Sequence, residues 1–172
     1  MREGKLLIVV DMQNDFIDGA LGTMRARRIL PAVRARIAAA REAGEEVVFT
    51  RDTHGEDYLL TQEGKKLPVP HCVRGTPGWE IADGLVQEGD RVFDKPVFGS
   101  VELGAFVRDG GYLSAELVGV CTDICVVSNA LLIRAFAPET EVCVRESCCG
   151  GTSEEAHREA ISVMRCCQVG IL

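Results

Sequence analysis

Val118-Gly119-Val120-Cys121-Thr122-Asp123-Ile124-Cys125-Val126 closes one apolar run and opens the next. The residues leading into it, Ala115 to Val120, read as a strand buried on both faces, and those from Cys125 to Phe136 read as a buried helix. A buried strand passing directly into a helix is the unit of a parallel sheet, so this stretch sets the fold class. It also places Cys125 in the first helical turn. Unpaired backbone N–H groups and the positive end of the helix dipole favour an anion there, which predicts a thiol drawn toward its thiolate, with Thr122 or Asp123 capping the helix. Free cysteine is also a common core residue, and this stretch alone leaves both readings open.

Working outward, the same alternation continues in both directions. Leu6 to Val10, Glu46 to Thr50, Arg91 to Phe93, Glu141 to Val144 and Gln168 to Leu172 are further strand-like runs. Helical patterns lie between most of them. Leu30 to Ala43 starts with Pro31 near its first turn, keeps Leu30, Val33, Ile37 and Ala40 on one face and stops at Gly44. Val101 to Arg108 is another, and Ser153 to Met164 opens with Thr152 and Glu155 at a capping-box spacing. The expected fold is a three-layer α/β/α domain over residues 1–172, with a six-stranded parallel sheet in the order 3-2-1-4-5-6. Residues 53–80, rich in Gly and Pro, form the one long irregular segment, a length that usually marks a functional or a disordered loop.

Composition narrows the function classes. With 172 residues and 47% hydrophobic content, the chain suits one domain with a substantial core. A net charge of −7 without a basic run argues against nucleic acid or an anionic membrane as partner. No segment approaches membrane-spanning length, and Met1 to Lys5 leads straight into a strand rather than a signal peptide, so a cytoplasmic protein is expected. Eight cysteines lie mostly within apolar elements, and reduced thiols are the expectation. The absence of a Cys-x-x-Cys pair argues against a thiolate zinc site.

Chemistry in such sheets gathers beyond the carboxyl ends of the strands, where the strand order reverses. Polar residues sit there: Asp11 to Asp15 after the first strand, Asp52-Thr53-His54 after the second, Asp94-Lys95 after the third, Cys121 to Cys125 after the fourth. A nucleophilic thiol needs a nearby cation and an acid or base to move protons, and Lys95 and Asp11 supply those roles for Cys125. Strand three lies two places from strand one, roughly 10 Å away, so Lys95 is expected to reach inward from the turn that follows.

Asp-Met-Gln-Asn-Asp-Phe at 11–16, Asp52-Thr-His54, His71-Cys-Val-Arg-Gly-Thr-Pro-Gly78, Lys95 before Pro-Val-Phe-Gly-Ser100, and the 118–126 stretch together resemble the isochorismatase-like cysteine hydrolases, especially the nicotinamidases. The resemblance runs in order along nearly the whole chain. It implies a catalytic triad of Asp11, Lys95 and Cys125, a cis peptide between Val120 and Cys121, and an oxyanion hole from the N–H groups of Cys121 and Cys125. Isochorismatases proper lack the cysteine, so Cys125 points to the amide-cleaving branch.

The resemblance also implies a divalent metal held by Asp52, His54 and His71. Where many relatives have a further histidine, Tyr58-Leu59-Leu60 stands here, and Glu63 is the substitute. An N/O ligand set suits zinc first, with iron or manganese as alternatives. Phe16, Val120 and Trp79 are expected to line the substrate pocket, with Phe98 as a further wall residue, though aromatic residues are equally at home in cores. Leu67-Pro68-Val69-Pro70 replaces the tryptophan that some nicotinamidases carry before the metal-binding histidine. His157 and Cys72 are read as packing residues. The expected activity is hydrolysis of nicotinamide or a close aromatic amide, by a homo-oligomer acting on a small molecule. Hydrolysis of a carbamoyl or ureido compound and a non-catalytic metal or thiol sensor are the alternatives.

Overall fold

The computed structural model describes residues 4–172. Met1 to Glu3, and with them the reading of the N-terminus as lacking a signal peptide, lie outside that range. In chain order the elements are β1 (Lys5–Val10), α1 (Asn14–Ile17), α2 (Met24–Glu42), β2 (Glu46–Asp52), α3 (Gln62–Lys66), β3 (Arg91–Lys95), α4 (Val101–Gly110), β4 (Ser114–Val120), α5 (Val127–Phe136), β5 (Glu141–Gly150), α6 (Glu154–Cys166) and β6 (Gly170–Ile171). The six strands form one sheet in the order β3-β2-β1-β4-β5-β6, every pair parallel. This is the expected topology, with the order reversing between β1 and β4.

Each central strand is buried on both faces because a layer of helices covers each. Leu7, Val9 and Phe49 pack toward Ala26, Ile29, Val33, Ile37 and Ala40 of α2. On the other face Leu6, Ile8, Val10 and Leu117 pack with Leu103 and Val107 of α4, Ala130 and Ile133 of α5, and Ile161 and Met164 of α6. Register aligns the carboxyl ends: Val10 lies beside Thr50 and Gly119, and Asp52 beside Lys95. Gly119, at φ +118, is where β4 crowds β1, since a Cβ there would strike the backbone of Val10. Among the described residues no helix is long and apolar enough to cross a membrane.

Several local expectations give way. Helix α2 begins at Met24, not near Leu30, because Thr23 caps it by accepting the Ala26 N–H at 3.0 Å. Pro31 is therefore inside the helix, and Ile29 rather than Leu30 belongs to its buried stripe. The cap of α6 is Ser153, which accepts the Ala156 N–H, so the Thr152 to Glu155 capping box does not form. The segment 53–80 is more ordered than its composition predicts, with a 3₁₀ turn at Tyr58–Leu60 and the short helix α3. It is held at both ends, since Asn14 and Asp15 donate their N–H groups to Glu80 and Gly78, and His54 donates to Cys72.

Candidate active site and metal centre

The carboxyl edge at the switch point gathers Asp11, Lys95 and Cys125. Asp11 follows β1 with φ +47, a conformation that aspartate tolerates better than most residues. One carboxylate oxygen accepts the Thr50 hydroxyl at 2.6 Å, and the other pairs with Lys95 Nζ at 2.7 Å. Lys95 Nζ also lies 3.4 Å from Cys125 Sγ and 3.2 Å from Asp52 Oδ1. Lys95 occupies the last position of β3 rather than the turn after it, and its long side chain spans the strand between, buried to 1% exposure. The expected geometry is corrected there: the stem reaches from the sheet itself, so burial in β3 fixes its direction.

The setting of Cys125 also differs from expectation. Thr122–Val126 forms a π turn ahead of α5, so the thiol precedes the regular helix instead of occupying its first turn. Neither Thr122 nor Asp123 caps it. Asp123 accepts the N–H of Thr152 at 2.8 Å and that residue's hydroxyl, while the Thr122 hydroxyl meets His157 Nδ1 at 2.8 Å. His157 is thus a partner of this turn and is not among the grouped metal donors. The Val120–Cys121 peptide is cis.

Electrostatics follow from burial. Burial first, then the Asp11 carboxylate, pushes the Cys125 thiol well up, and Lys95 only partly offsets them. With Cys125 in the π turn ahead of α5, the charge that favours a thiolate is the Lys95 ammonium at 3.4 Å rather than the end of the regular helix, and burial and Asp11 oppose it. Burial also raises Asp11 against the pull of Lys95, making it a stronger base than an ordinary carboxylate. For Lys95, burial works to lower the pKa, but Asp11, Cys125 and Asp52 outweigh it and hold the ammonium charged. Cys72 is fully buried, and burial followed by the Asp52 charge pushes its thiol up, as suits a packing residue.

Beside this group, Asp52, His54, Glu63 and His71 bring one donor atom each to within 4.8 Å of one another. His54 Nε2 lies 2.9 Å from Asp52 Oδ2 and 3.8 Å from Glu63 Oε1, and His71 Nε2 lies 3.5 and 3.7 Å from the same two oxygens. Tetrahedral ligands at zinc distances of about 2.0–2.2 Å stand roughly 3.3–3.6 Å apart, so these separations suit a cation at their centre. The His71 Nδ1–H donates to the Val69 carbonyl at 2.8 Å, which turns the Nε2 lone pair toward the cluster. Burial opposes the ionisation of Asp52, yet hydrogen bonds from His54 and His71 and the charge of Lys95 hold its pKa well below the usual range. Three carboxylates here face one ammonium, an excess of negative charge that a divalent cation neutralises. The residues present fit the metal that the family resemblance implies.

A cavity of about 400 Å³ opens onto both groups, lined on its apolar side by Phe16, Leu21, Leu67, Val97, Phe98 and Ile124. Phe16 is where it was expected, but Val120 and Trp79 are not part of the lining. Val120 is 1% exposed within the sheet core. Trp79 is held elsewhere, its indole N–H donating to Thr53 Oγ1 at 2.8 Å and its ring 3.5 Å from the Arg51 guanidinium. Sequence reasoning assigned no role to Gln13, which is fully buried and clamps the Asp52 backbone by accepting its N–H at 2.7 Å and donating to its carbonyl at 2.8 Å. The polar run directly after an all-apolar strand was the available signal for it.

Fold and site together are those of a three-layer α/β hydrolase. The isochorismatase domain matches residues 5–171, and the chain belongs to that family. It is 28% identical to the nicotinamidase/pyrazinamidase of Mycobacterium tuberculosis, over 98% of both chains. Among solved structures, the pyrazinamidase of Pyrococcus horikoshii in complex with zinc is similar with a TM-score of 0.87 and 31% identity, over 98% of each chain. The N-carbamoylsarcosine amidase from Thermoplasma acidophilum reaches a TM-score of 0.83 at 25% identity, over 98% of this chain and 95% of that one.

Proposed function

We propose that the protein is a metal-containing cysteine amidohydrolase that converts nicotinamide, or a close aromatic amide, to the acid and ammonia. The observation that carries this reading is Lys95 Nζ lying between Asp11, at 2.7 Å, and Cys125 Sγ, at 3.4 Å, with Cys125 facing a cavity also lined by Asp52, Glu63 and His71 of the metal-donor group. Asp11 takes the thiol proton as Cys125 Sγ attacks the amide carbon, and the N–H groups of Cys121 and Cys125 receive the oxyanion. The proton passes from Asp11 to the amide nitrogen, the C–N bond breaks, and ammonia leaves behind a thioester. Water, deprotonated by Asp11, then attacks the thioester, and the departing thiolate recovers the proton. Lys95 keeps the buried negative charge tolerable throughout. Asp52, His54, Glu63 and His71 would hold a divalent metal, zinc first among the candidates, which when bound would supply a Lewis acid for orienting the substrate ring.

Two measurements test the reading. Ammonia release from nicotinamide, followed with metal analysis of the same preparation, is expected to show turnover that falls with chelation and returns with zinc. Glu63→Ala is expected to lower metal occupancy and turnover together, each by about tenfold or more. Glu56→Ala, which alters an exposed carboxylate of the same loop, leaves both near wild type. Full metal occupancy in Glu63→Ala would remove Glu63 from the ligand set.

A second reading is favoured by one feature, the absence of a tryptophan before His71, together with the likeness to an N-carbamoylsarcosine amidase. It expects ammonia from carbamoyl or ureido compounds and none from nicotinamide, so a panel containing both classes separates the two.

A further inference from the structure

The segment between Lys95 and α4 carries two walls of the cavity, Val97 and Phe98, yet these residues are 55% and 45% exposed. Burial of apolar surface therefore does little to fix them. What holds this segment is a buried amide. Asn129, in the first turn of α5 and fully buried, donates from Nδ2 to the Phe98 carbonyl at 3.1 Å and accepts the Ser100 N–H on Oδ1 at 2.9 Å. The same Nδ2 donates to the carbonyl of Cys125 at 2.8 Å. Both amide hydrogens and the carbonyl oxygen are thus engaged, which in a buried site rigidifies the groups joined. Gly99 lies close against α5, where an added Cβ would stand 3.5 Å from Leu132 and 3.7 Å from the Ser128 carbonyl, so the loop rests on the helix that supplies the tether. Ser100 in turn caps α4 by accepting the Leu103 N–H at 3.1 Å.

We propose that Asn129 is a positioning residue that fixes the Val97 and Phe98 wall relative to the backbone of Cys125, and so sets how tightly the ring of an aromatic amide is held. The inference rests on the amidase reading and deepens it. Asn129 touches neither substrate nor reacting atoms, and it acts through Phe98 on one side and Cys125 on the other. Threonine at this position divides the two sides. Its hydroxyl bonds the carbonyl four residues back, as Ser128 already does to Ile124 at 2.6 Å, but it is too short to hold the loop.

The test is a set of steady-state measurements with nicotinamide on the zinc-loaded protein. Asn129→Thr is expected to raise KM about tenfold while kcat stays within about threefold, since the wall loosens and the nucleophile keeps its bond. Phe98→Ala is expected to raise KM by a similar factor, and the double variant to be no worse than either single one, because both remove the same wall. A purely structural role would reduce the fraction of active protein and hence apparent kcat, leaving KM unchanged. An unchanged KM in Asn129→Thr, or multiplying effects in the double variant, would overturn the inference. An unchanged KM in Phe98→Ala overturns it whether or not the Asn129 variant folds. Failure of the wild type to release ammonia from nicotinamide sinks the substrate reading instead, which keeps the two failures apart.

Discussion

Cys125→Ala is expected to fold, to keep its metal, and to lose turnover by at least about 10⁴-fold, the scale on which removal of a covalent nucleophile is felt. Folding survives because the change removes one sulfur at a 5% exposed position and leaves Lys95 paired with both Asp11 and Asp52. Retained metal content is the informative part. The four donors do not include Cys125, so occupancy and turnover separate in this variant, whereas in Glu63→Ala they fall together. Cys72→Ala serves as the comparison. Cys72 is a fully buried core residue outside the cavity lining, and its truncation is expected to cost about 1–2 kcal/mol of stability with most of the activity kept. Ammonia release and zinc content measured on the three proteins decide the matter. A non-catalytic metal or thiol sensor predicts no cysteine-dependent ammonia release in any of them.

Asp11→Asn is expected to be the second most damaging substitution, with turnover reduced by about 10²–10⁴-fold, the usual worth of a positioned acid and base. Asparagine has the size and an oxygen to receive Lys95 Nζ, and its amide nitrogen can donate to the Thr50 hydroxyl that now donates to Asp11. Lys95 keeps the Asp52 carboxylate at 3.2 Å, so the buried ammonium is not orphaned. What the variant lacks is a carboxylate able to take a proton beside Cys125 and hand it on. Circular dichroism matching the wild type with turnover lost is the expected result. Near-native turnover would exclude Asp11 from the proton-transfer role.

The fold was readable because its signal is local. Five apolar runs and the stretch ending at Cys125 gave the strands, and parallel pairing with helical crossovers left few orders to choose among. Asp11, Asp52, Lys95 and Cys125 were legible for a related reason, since each ends or follows a strand at one edge of the sheet. What escaped depends on contacts across the chain. Pro31 suggested a helix start because a proline interior to a helix is costly, yet the Thr23 cap and the buried stripe from Ala26 to Ala40 carry α2 through it. Trp79 and Phe98 have the same character in sequence, and only the tertiary structure turns one under Arg51 and the other into the cavity. The opposing pulls on the Cys125 thiol were likewise invisible, because they come from its burial between Asp11 and Lys95 and not from a helix end.

The covalent step is the centre of the account, and acid quenching during turnover of nicotinamide, followed by peptide mass spectrometry, observes it directly. The account predicts a nicotinoyl group in thioester linkage on the peptide that carries Cys125, lost on treatment with hydroxylamine. A nicotinoyl group on any other side chain, or ammonia formed at the wild-type rate by Cys125→Ala, would contradict it.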